Sequence, residues 1–260
     1  MYSEIKFSDK MTLPLFSLLV TIGITVMFLL FMFIAFKKYK DNEKEVILVI
    51  QLLVSSLAVG YISSIFFDSL FKIRENGGLK IEGATFYGGL IGGIIAFIIL
   101  LRIYRKRITI PTIEWLNILS YSIVAAHFFG RIGCFLGGCC YGEITSSWLG
   151  VIFPSGSPSA IDLGEGVKVY PTQLFEAFFL LIMFILLFRF IKKNQFAWYL
   201  VMYGFVRFII EMFRGDYRGG LFGILSPAQF ISIVLILIGA ILLLKVKLDK
   251  ITLKETEVYN

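Results

Sequence analysis

Seven apolar runs, each about twenty residues long and carrying few charges, constrain this chain more than any other feature. They lie at roughly 13–36, 46–70, 84–103, 113–136, 172–191, 196–213 and 227–246. A hydrocarbon core about 30 Å thick is crossed by about twenty residues at the rise of an α-helix, so each run has the length of a spanning helix. The runs are continuous, which excludes an outer-membrane barrel, whose strands alternate apolar and polar over about ten residues. With 58% of 260 residues hydrophobic, a water-soluble domain is excluded as well. The expected fold is therefore all-α: one integral membrane domain over residues 1–260, polytopic, with seven transmembrane helices. The first run is too long for the core of a signal peptide and is expected to be the first spanning helix.

The net charge of +7 does not point to nucleic acid, because the basic residues sit in short segments between the apolar runs, where they set membrane orientation. If the N-terminus is outside, fifteen of the 25 Lys and Arg residues fall in the cytoplasmic segments 37–45, 102–112, 189–195 and the tail from 245, against eight in the outer segments. That bias predicts an N-terminus outside and a C-terminus in the cytoplasm. Segment 143–171, with its Pro and Gly residues, is then an extracytoplasmic loop or small cap, and 247–260 a mobile cytoplasmic tail.

This orientation brings the intramembrane polar residues to one level. His127 and Arg131 fall in the outer third of the fourth span, and Tyr203, Arg207 and Glu211 on the outer half of the sixth. Tyr87 opens the third span, Gln173 and Glu176 open the fifth, and Asp68 closes the second on the same side. The inner halves are almost purely apolar, so a polar cavity open to the outer leaflet is expected. Tyr87, Tyr203 and Asp68 taken singly also fit an interfacial belt. Arg131 does not. An arginine at the bilayer centre costs roughly 2.5–3.5 kcal/mol on the insertion scale, and the acidic residue nearest to it in sequence is Glu143. Two arginines at one level repel each other without a shared anion. Glu211, one turn from Arg207, can neutralise that residue. For Arg131 a phosphate is the natural partner, because a guanidinium forks two hydrogen bonds onto its oxygens.

The glycines and cysteines each admit more than one reading. Gly88, Gly89, Gly92 and Gly93 form a small-residue face, which either packs against another helix or leaves bare backbone for a lipid to pass. Gly130, Gly133, Gly137, Gly138 and Gly142 resemble a broken helix end, tolerated at membrane depth only where it is buried or lines a cavity. Cys134, Cys139 and Cys140 are too few for a disulfide framework. They read as small packing residues, as metal ligands with His127, or as catalytic thiols. Their spacing is not a standard zinc pattern, so no metal and no cofactor are expected.

Four blocks in order carry a family resemblance. They are Gly130-Arg-Ile-Gly-x-Phe135 with a closing Gly142; Phe86-Tyr-Gly-Gly-Leu-Ile-Gly92; Tyr170-Pro-Thr-Gln-Leu-Phe-Glu176; and Tyr203-Gly-x-x-Arg-Phe-x-x-Glu-x-x-Arg214, followed by Leu225-Ser-x-x-Gln229. Over roughly residues 85–235 the chain resembles the prolipoprotein diacylglyceryl transferases of the bacterial cytoplasmic (inner) membrane. The resemblance implies a transferase of lipoprotein biosynthesis that moves a diacylglyceryl group from phosphatidylglycerol to the lipobox cysteine of a prolipoprotein signal peptide. The active site would face the outer leaflet, with membrane lipids as surroundings. Arg131 and Arg207 would hold the lipid phosphate and stabilise the leaving group. Tyr203, Glu211 and Gly142 match functional positions, Gln173 and Glu176 match the outer end of the fifth span, and Gly88, Gly89, Gly130 and Gly133 would line the lipid.

The chain also departs from the family pattern. Tyr87 and Tyr170 stand where the family has histidine, Cys134 and Gly137 where it has asparagine, and Cys139 where it has glutamate. Tyrosine is a poorer base than histidine at neutral pH. His127, one turn before Arg131, either supplies an imidazole or packs and hydrogen-bonds. A phospholipid-dependent transferase with another acceptor, or a lipid-binding protein without catalysis, are the other readings of the same pocket.

Overall fold

The computed structural model describes residues 4–8, 11–71, 85–215 and 225–258. Each of the seven apolar runs is helical over most of its length within them. Strands β1 (Glu4–Ser8) and β2 (Met11–Pro14) pair antiparallel and lead into helix α1 (Leu15–Lys38). A 3-10 turn precedes α2 (Glu43–Phe71), followed by α3 (Phe86–Ile103) and α4 (Thr112–Gly137). An excursion then holds β3 (Val151–Ile152), the short helix α5 (Pro158–Leu163) and β4 (Lys168–Val169). Last come α6 (Thr172–Ile185), which runs on through a wider turn at Leu186–Phe190, then α7 (Gln195–Glu211) and α8 (Pro227–Val258). Five of these helical segments are long and apolar enough to cross a membrane: Leu15–Lys38, Lys40–Leu70, Thr112–Gly137, Thr172–Phe190 and Pro227–Leu248. Helix α8 continues to Val258, through the segment expected to form the tail, because its Leu, Lys and Glu residues are good helix formers even where apolarity ends.

The chain divides into two compact units, Met32–Leu116 and the combination of Met1–Phe31 with Asn117–Asn260. Within the first unit, α2 and α3 meet across the small-residue face. A methyl built on Gly60 would lie 2.8 Å from the Gly89 carbonyl oxygen, and one on Gly88 would lie 2.7 Å from Phe67 Cβ. Ser63 Oγ donates to the Gly88 carbonyl at 2.9 Å. Small side chains let the backbones approach this closely, so the Gly88–Gly89 face is occupied by α2, the packing reading. Elsewhere in this unit Glu45, buried, accepts from the Thr109 and Ile110 backbone N–H groups, each at 2.9 Å, and from the Thr109 hydroxyl at 2.7 Å. Lys38 and Tyr39 both reach Glu114.

In the second unit α7 and α8 cross at two glycines. Gly204 abuts the Ser232 carbonyl, and Gly239 the Ala197 carbonyl; a Cβ on either glycine would come within 2.7 Å of that oxygen. The Asn117 side chain of α4 accepts from the Phe196 backbone N–H at 3.0 Å and so anchors the start of α7. The excursion between α4 and α6 has a core of its own. Tyr141, Phe153 and Val169 are buried together, with Phe135, Val151, Leu163 and Val167 packed on them, and the Tyr141 hydroxyl donates to Asp162 at 2.7 Å.

Candidate active site

Residues three or four apart lie on one face of a helix, and three helices of the second unit use that spacing to bring polar side chains to one point. His127 and Arg131 come from α4, Gln173 and Glu176 from α6, and Tyr203, Arg207 and Glu211 from α7. At the centre is Glu176, only 1% exposed. Its Oε1 lies 3.1 Å from Arg131 Nη2 and accepts from the Tyr203 hydroxyl at 3.2 Å. Its Oε2 accepts from Arg207 Nη1 at 3.3 Å. Arg207 Nη2 in turn donates to Glu211 Oε2 at 2.5 Å, and Glu211 Oε1 accepts from Ser226 Oγ at 3.0 Å.

Ser226 and Gln229 explain the Leu-Ser-x-x-Gln block. The Ser226 hydroxyl accepts from the Gln229 backbone N–H at 3.2 Å, while the Gln229 side chain accepts from the Ser226 backbone N–H at 3.0 Å. This reciprocal pair is a capping box, and Pro227 occupies the first helical position. The cap that starts α8 thereby also fixes the hydroxyl that holds Glu211. Sequence reasoning left both residues out of the site, although a serine followed three positions later by glutamine is a legible signal.

Among the described residues, the ion pairs of the cluster join two arginines to two glutamates. Between Arg131 and Arg207 stands a carboxylate of the protein, Glu176, where the sequence pointed to a phosphate as the partner of Arg131. The arrangement meets the condition for burying charge, namely that every ion has an opposite partner in hydrogen-bonding geometry. His127 has a defined place in it. Arginine has only donors, so the 3.2 Å contact from Arg131 Nε makes His127 Nε2 the acceptor. The imidazole is therefore neutral there and its Nε2 lone pair is engaged. Its edge contacts the Tyr203 ring, with centroids 5.1 Å apart. At 3.6 Å, His127 Nε2 to Glu176 Oε1 is too long for a hydrogen bond. His127 orients Arg131 here.

The remaining expected residues are placed as follows. Gln173, 1% exposed, donates through Nε2 to the Cys139 carbonyl at 2.7 Å. Thr172 Oγ1 donates to the Cys140 carbonyl at 2.9 Å. Gly142 pairs with Arg214 as an isolated bridge, and its N–H donates to the Tyr170 carbonyl at 2.9 Å. A Cβ there would lie 2.7 Å from the Phe213 carbonyl oxygen and 2.8 Å from both Thr172 and Tyr170. Only glycine fits between these two backbones. Gly133 packs on Phe16 and Leu19 of α1, whereas a Cβ on Gly130 would meet nothing within 4 Å among the described residues. Tyr87 lies in α3, and its side chain falls outside the described residues.

The family model for prolipoprotein diacylglyceryl transferase matches residues 5–245. The chain belongs to the prolipoprotein diacylglyceryl transferase family. It is similar to a phosphatidylglycerol–prolipoprotein diacylglyceryl transferase of Clostridium tetani, 38% identical over 61% of this chain and 62% of that protein. It is also similar to the second such transferase of Clostridium perfringens, 39% identical over 62% of this chain and 61% of that one. The transferase of Rickettsia bellii is 35% identical over 65% of this chain and 64% of its own. The chain thus spans a little under two thirds of the length of the curated relatives it matches.

Within the prolipoprotein diacylglyceryl transferase family pattern, the cysteines of this chain fall on the turn that closes α4. Gly138, at φ +68°, ends the helix: its N–H donates to the Phe135 carbonyl and the Cys139 N–H to the Cys134 carbonyl, both at 3.2 Å. This is a Schellman cap. Cys140 follows at φ +64°. The three cysteines are not joined by disulfides, and their sulfurs all lie within 4.8 Å of one another. Hydrogen bonds from Cys134 and Cys139 push the Cys140 thiol down, and the Arg214 and Arg131 guanidiniums add to the effect.

Proposed function

We propose that this chain transfers a diacylglyceryl group from phosphatidylglycerol to the lipobox cysteine of a prolipoprotein signal peptide. Membership of the family supports this reading, and the observation that carries it is the buried Arg131–Glu176–Arg207 cluster. Two guanidiniums held at one carboxylate are preorganised to receive a phosphate, whose charge rises as it leaves. The acceptor sulfur attacks the glyceryl carbon, the carbon–oxygen bond to phosphate breaks, and glycerol phosphate departs with the displaced electron pair. A thioether remains, and the thiol proton passes to the medium. Arg131 and Arg207 offset the developing charge, Tyr203 and Glu211 orient Glu176 and Arg207, and His127 positions Arg131.

The setting proposed for this chemistry is a bacterial cytoplasmic (inner) membrane crossed seven times, with α3 and α7 joining the five longer spans. The N-terminus lies outside, as the fifteen-to-eight bias of basic residues supports, and the cluster faces the outer leaflet. Gly130, where an added Cβ would meet nothing within 4 Å among the described residues, is a place for lipid to approach Arg131. Gln173 and Gly142 brace the turn beside it. The cysteines and tyrosines that replace family residues favour one second reading, the same lipid donor with a different acceptor.

Complementation of a cell depleted of its own transferase tests both. The wild-type chain is expected to restore growth and lipid labelling of a lipobox substrate, and Arg131→Ala or Arg207→Ala to abolish both without loss of the protein from the membrane. Full labelling in both variants would remove the phosphate role. Failure of the wild type to label a lipobox substrate while still binding phosphatidylglycerol would move the assignment to another acceptor.

A further inference from the structure

We propose that Cys134, Cys139 and Cys140 form a three-thiolate site for one thiophilic metal ion of the zinc or copper(I) class, at the C-terminal end of α4. The proposal does not depend on the transfer reaction. The first observation is convergence. The three sulfurs lie within 4.8 Å of one another, and three thiolates on an ion at about 2.3 Å stand roughly 3.8–4.0 Å apart. Closing the difference takes side-chain movements of under roughly 1 Å each, within reach of small χ1 adjustments.

The backbone is shaped for this convergence. Five residues separate Cys134 from Cys139, and a continued helix would turn Cys139 away from it. The reversal at Gly138 brings Cys139 back over the last turn, where its sulfur reaches the Cys134 carbonyl at 3.7 Å. Cys140 then takes φ +64°, a conformation uncommon for a residue with a Cβ, and one whose cost is tolerated where a site needs it.

The donor set selects the ion. His127 is not part of it: among the described residues the ligand atoms grouped within 4.8 Å are the three cysteine sulfurs. Thiolates without nitrogen or carboxylate suit soft ions and exclude magnesium or calcium. Three thiolates around a mono- or divalent cation leave net negative charge, and Arg131 and Arg214 both act electrostatically on Cys140. Gln173 is tethered through Nε2 to the Cys139 carbonyl, and its Oε1 is buried with no hydrogen-bond partner among the described residues.

An ion here would tie the end of α4 to the start of α6. The Cys139 and Cys140 carbonyls hold Gln173 and Thr172, one turn before Glu176. Loading the site would therefore stiffen the turn that supports the arginine cluster. Each ligand must be deprotonated, so binding releases thiol protons to solvent and tightens as pH rises.

The test uses full-length protein in detergent micelles, kept reduced with a phosphine. Zn²⁺ is titrated against a chromophoric chelator in one arm, and Cu⁺ against a copper(I) chelator in the other. Bound metal is counted after dialysis, and the arm with the tighter site identifies the ion. One ion per chain is expected, with Cys139→Ser weakening binding roughly 100-fold or more, as the loss of one of a few ligands does. Maleimide labelling is the second readout, needing no variant: the bound ion is expected to protect all three thiols together. Equal binding by the wild type and the triple serine variant would overturn the site, as would unprotected thiols at saturating metal. A disulfide between any two of the cysteines in freshly isolated protein would also overturn it.

Discussion

Arg131 Nη2 stands 3.1 Å from Glu176 Oε1, a contact between two helices that makes a buried arginine tolerable before any substrate arrives. The second oxygen of the same carboxylate takes Arg207. One acidic residue therefore holds two cations that would otherwise repel, and removing it should be felt in stability and activity together.

Glu176→Gln keeps the shape but removes the carboxylate that Arg131 and Arg207 share. Breaking a buried ion pair from one side costs about 3–5 kcal/mol, so a clear fall in Tm in detergent is expected, with loss of transfer. An unchanged Tm would show that the carboxylate is not the shared anion.

His127 acts through Arg131. His127→Gln can present an oxygen to Arg131 Nε and should retain most activity, whereas His127→Ala should raise KM for lipid more than it lowers kcat. The pH profile of kcat should be the same in wild type and His127→Gln. Loss of a titrating limb in the Gln variant would instead make the imidazole a proton carrier.

Arg131→Lys keeps the charge but not the fork. A lysine ammonium cannot hold His127 and Glu176 with the separate Nε and Nη2 donors that arginine uses. Membrane insertion is expected to be normal and transfer to fall at least roughly 10-fold, the equivalent of about 1.4 kcal/mol. Full activity would mean that charge alone suffices.

Gly142→Ala places a methyl 2.7 Å from the Phe213 carbonyl oxygen and against Thr172 and Tyr170. The Phe213 carbonyl is backbone, and Tyr170 and Thr172 are held at the start of α6, so overpacking should cost about 1–3 kcal/mol. Thermal unfolding of the purified variant measures this, and no change would show that the bridge to Arg214 opens freely.

Ser226→Ala removes the hydroxyl that both caps α8 and holds Glu211. Loss of such a cap costs about 1 kcal/mol. Ser226→Thr keeps the oxygen and should restore stability; if it does not, the hydroxyl is not what matters.

The helices were readable in advance because a run of about twenty apolar residues has few other stable forms, and α6 begins at Thr172, where its run begins. The helix α8 runs on past its apolar run, since apolarity marks where lipid ends and not where hydrogen bonding ends. Within a helix, spacing also made the Arg207–Glu211 pair legible. What spacing could not reveal is which faces meet. Glu176 was visible only as one polar residue of a helix end, and no local feature tied it to Arg131 or Arg207. The cysteines read as an irregular spacing until Gly138 reversed the chain. Local chemistry decides whether a segment is helical, because its hydrogen bonds close within four residues. Which carboxylate a buried arginine finds is decided by packing between helices, through close approaches such as Gly204 on Ser232, and those are properties of the folded chain alone.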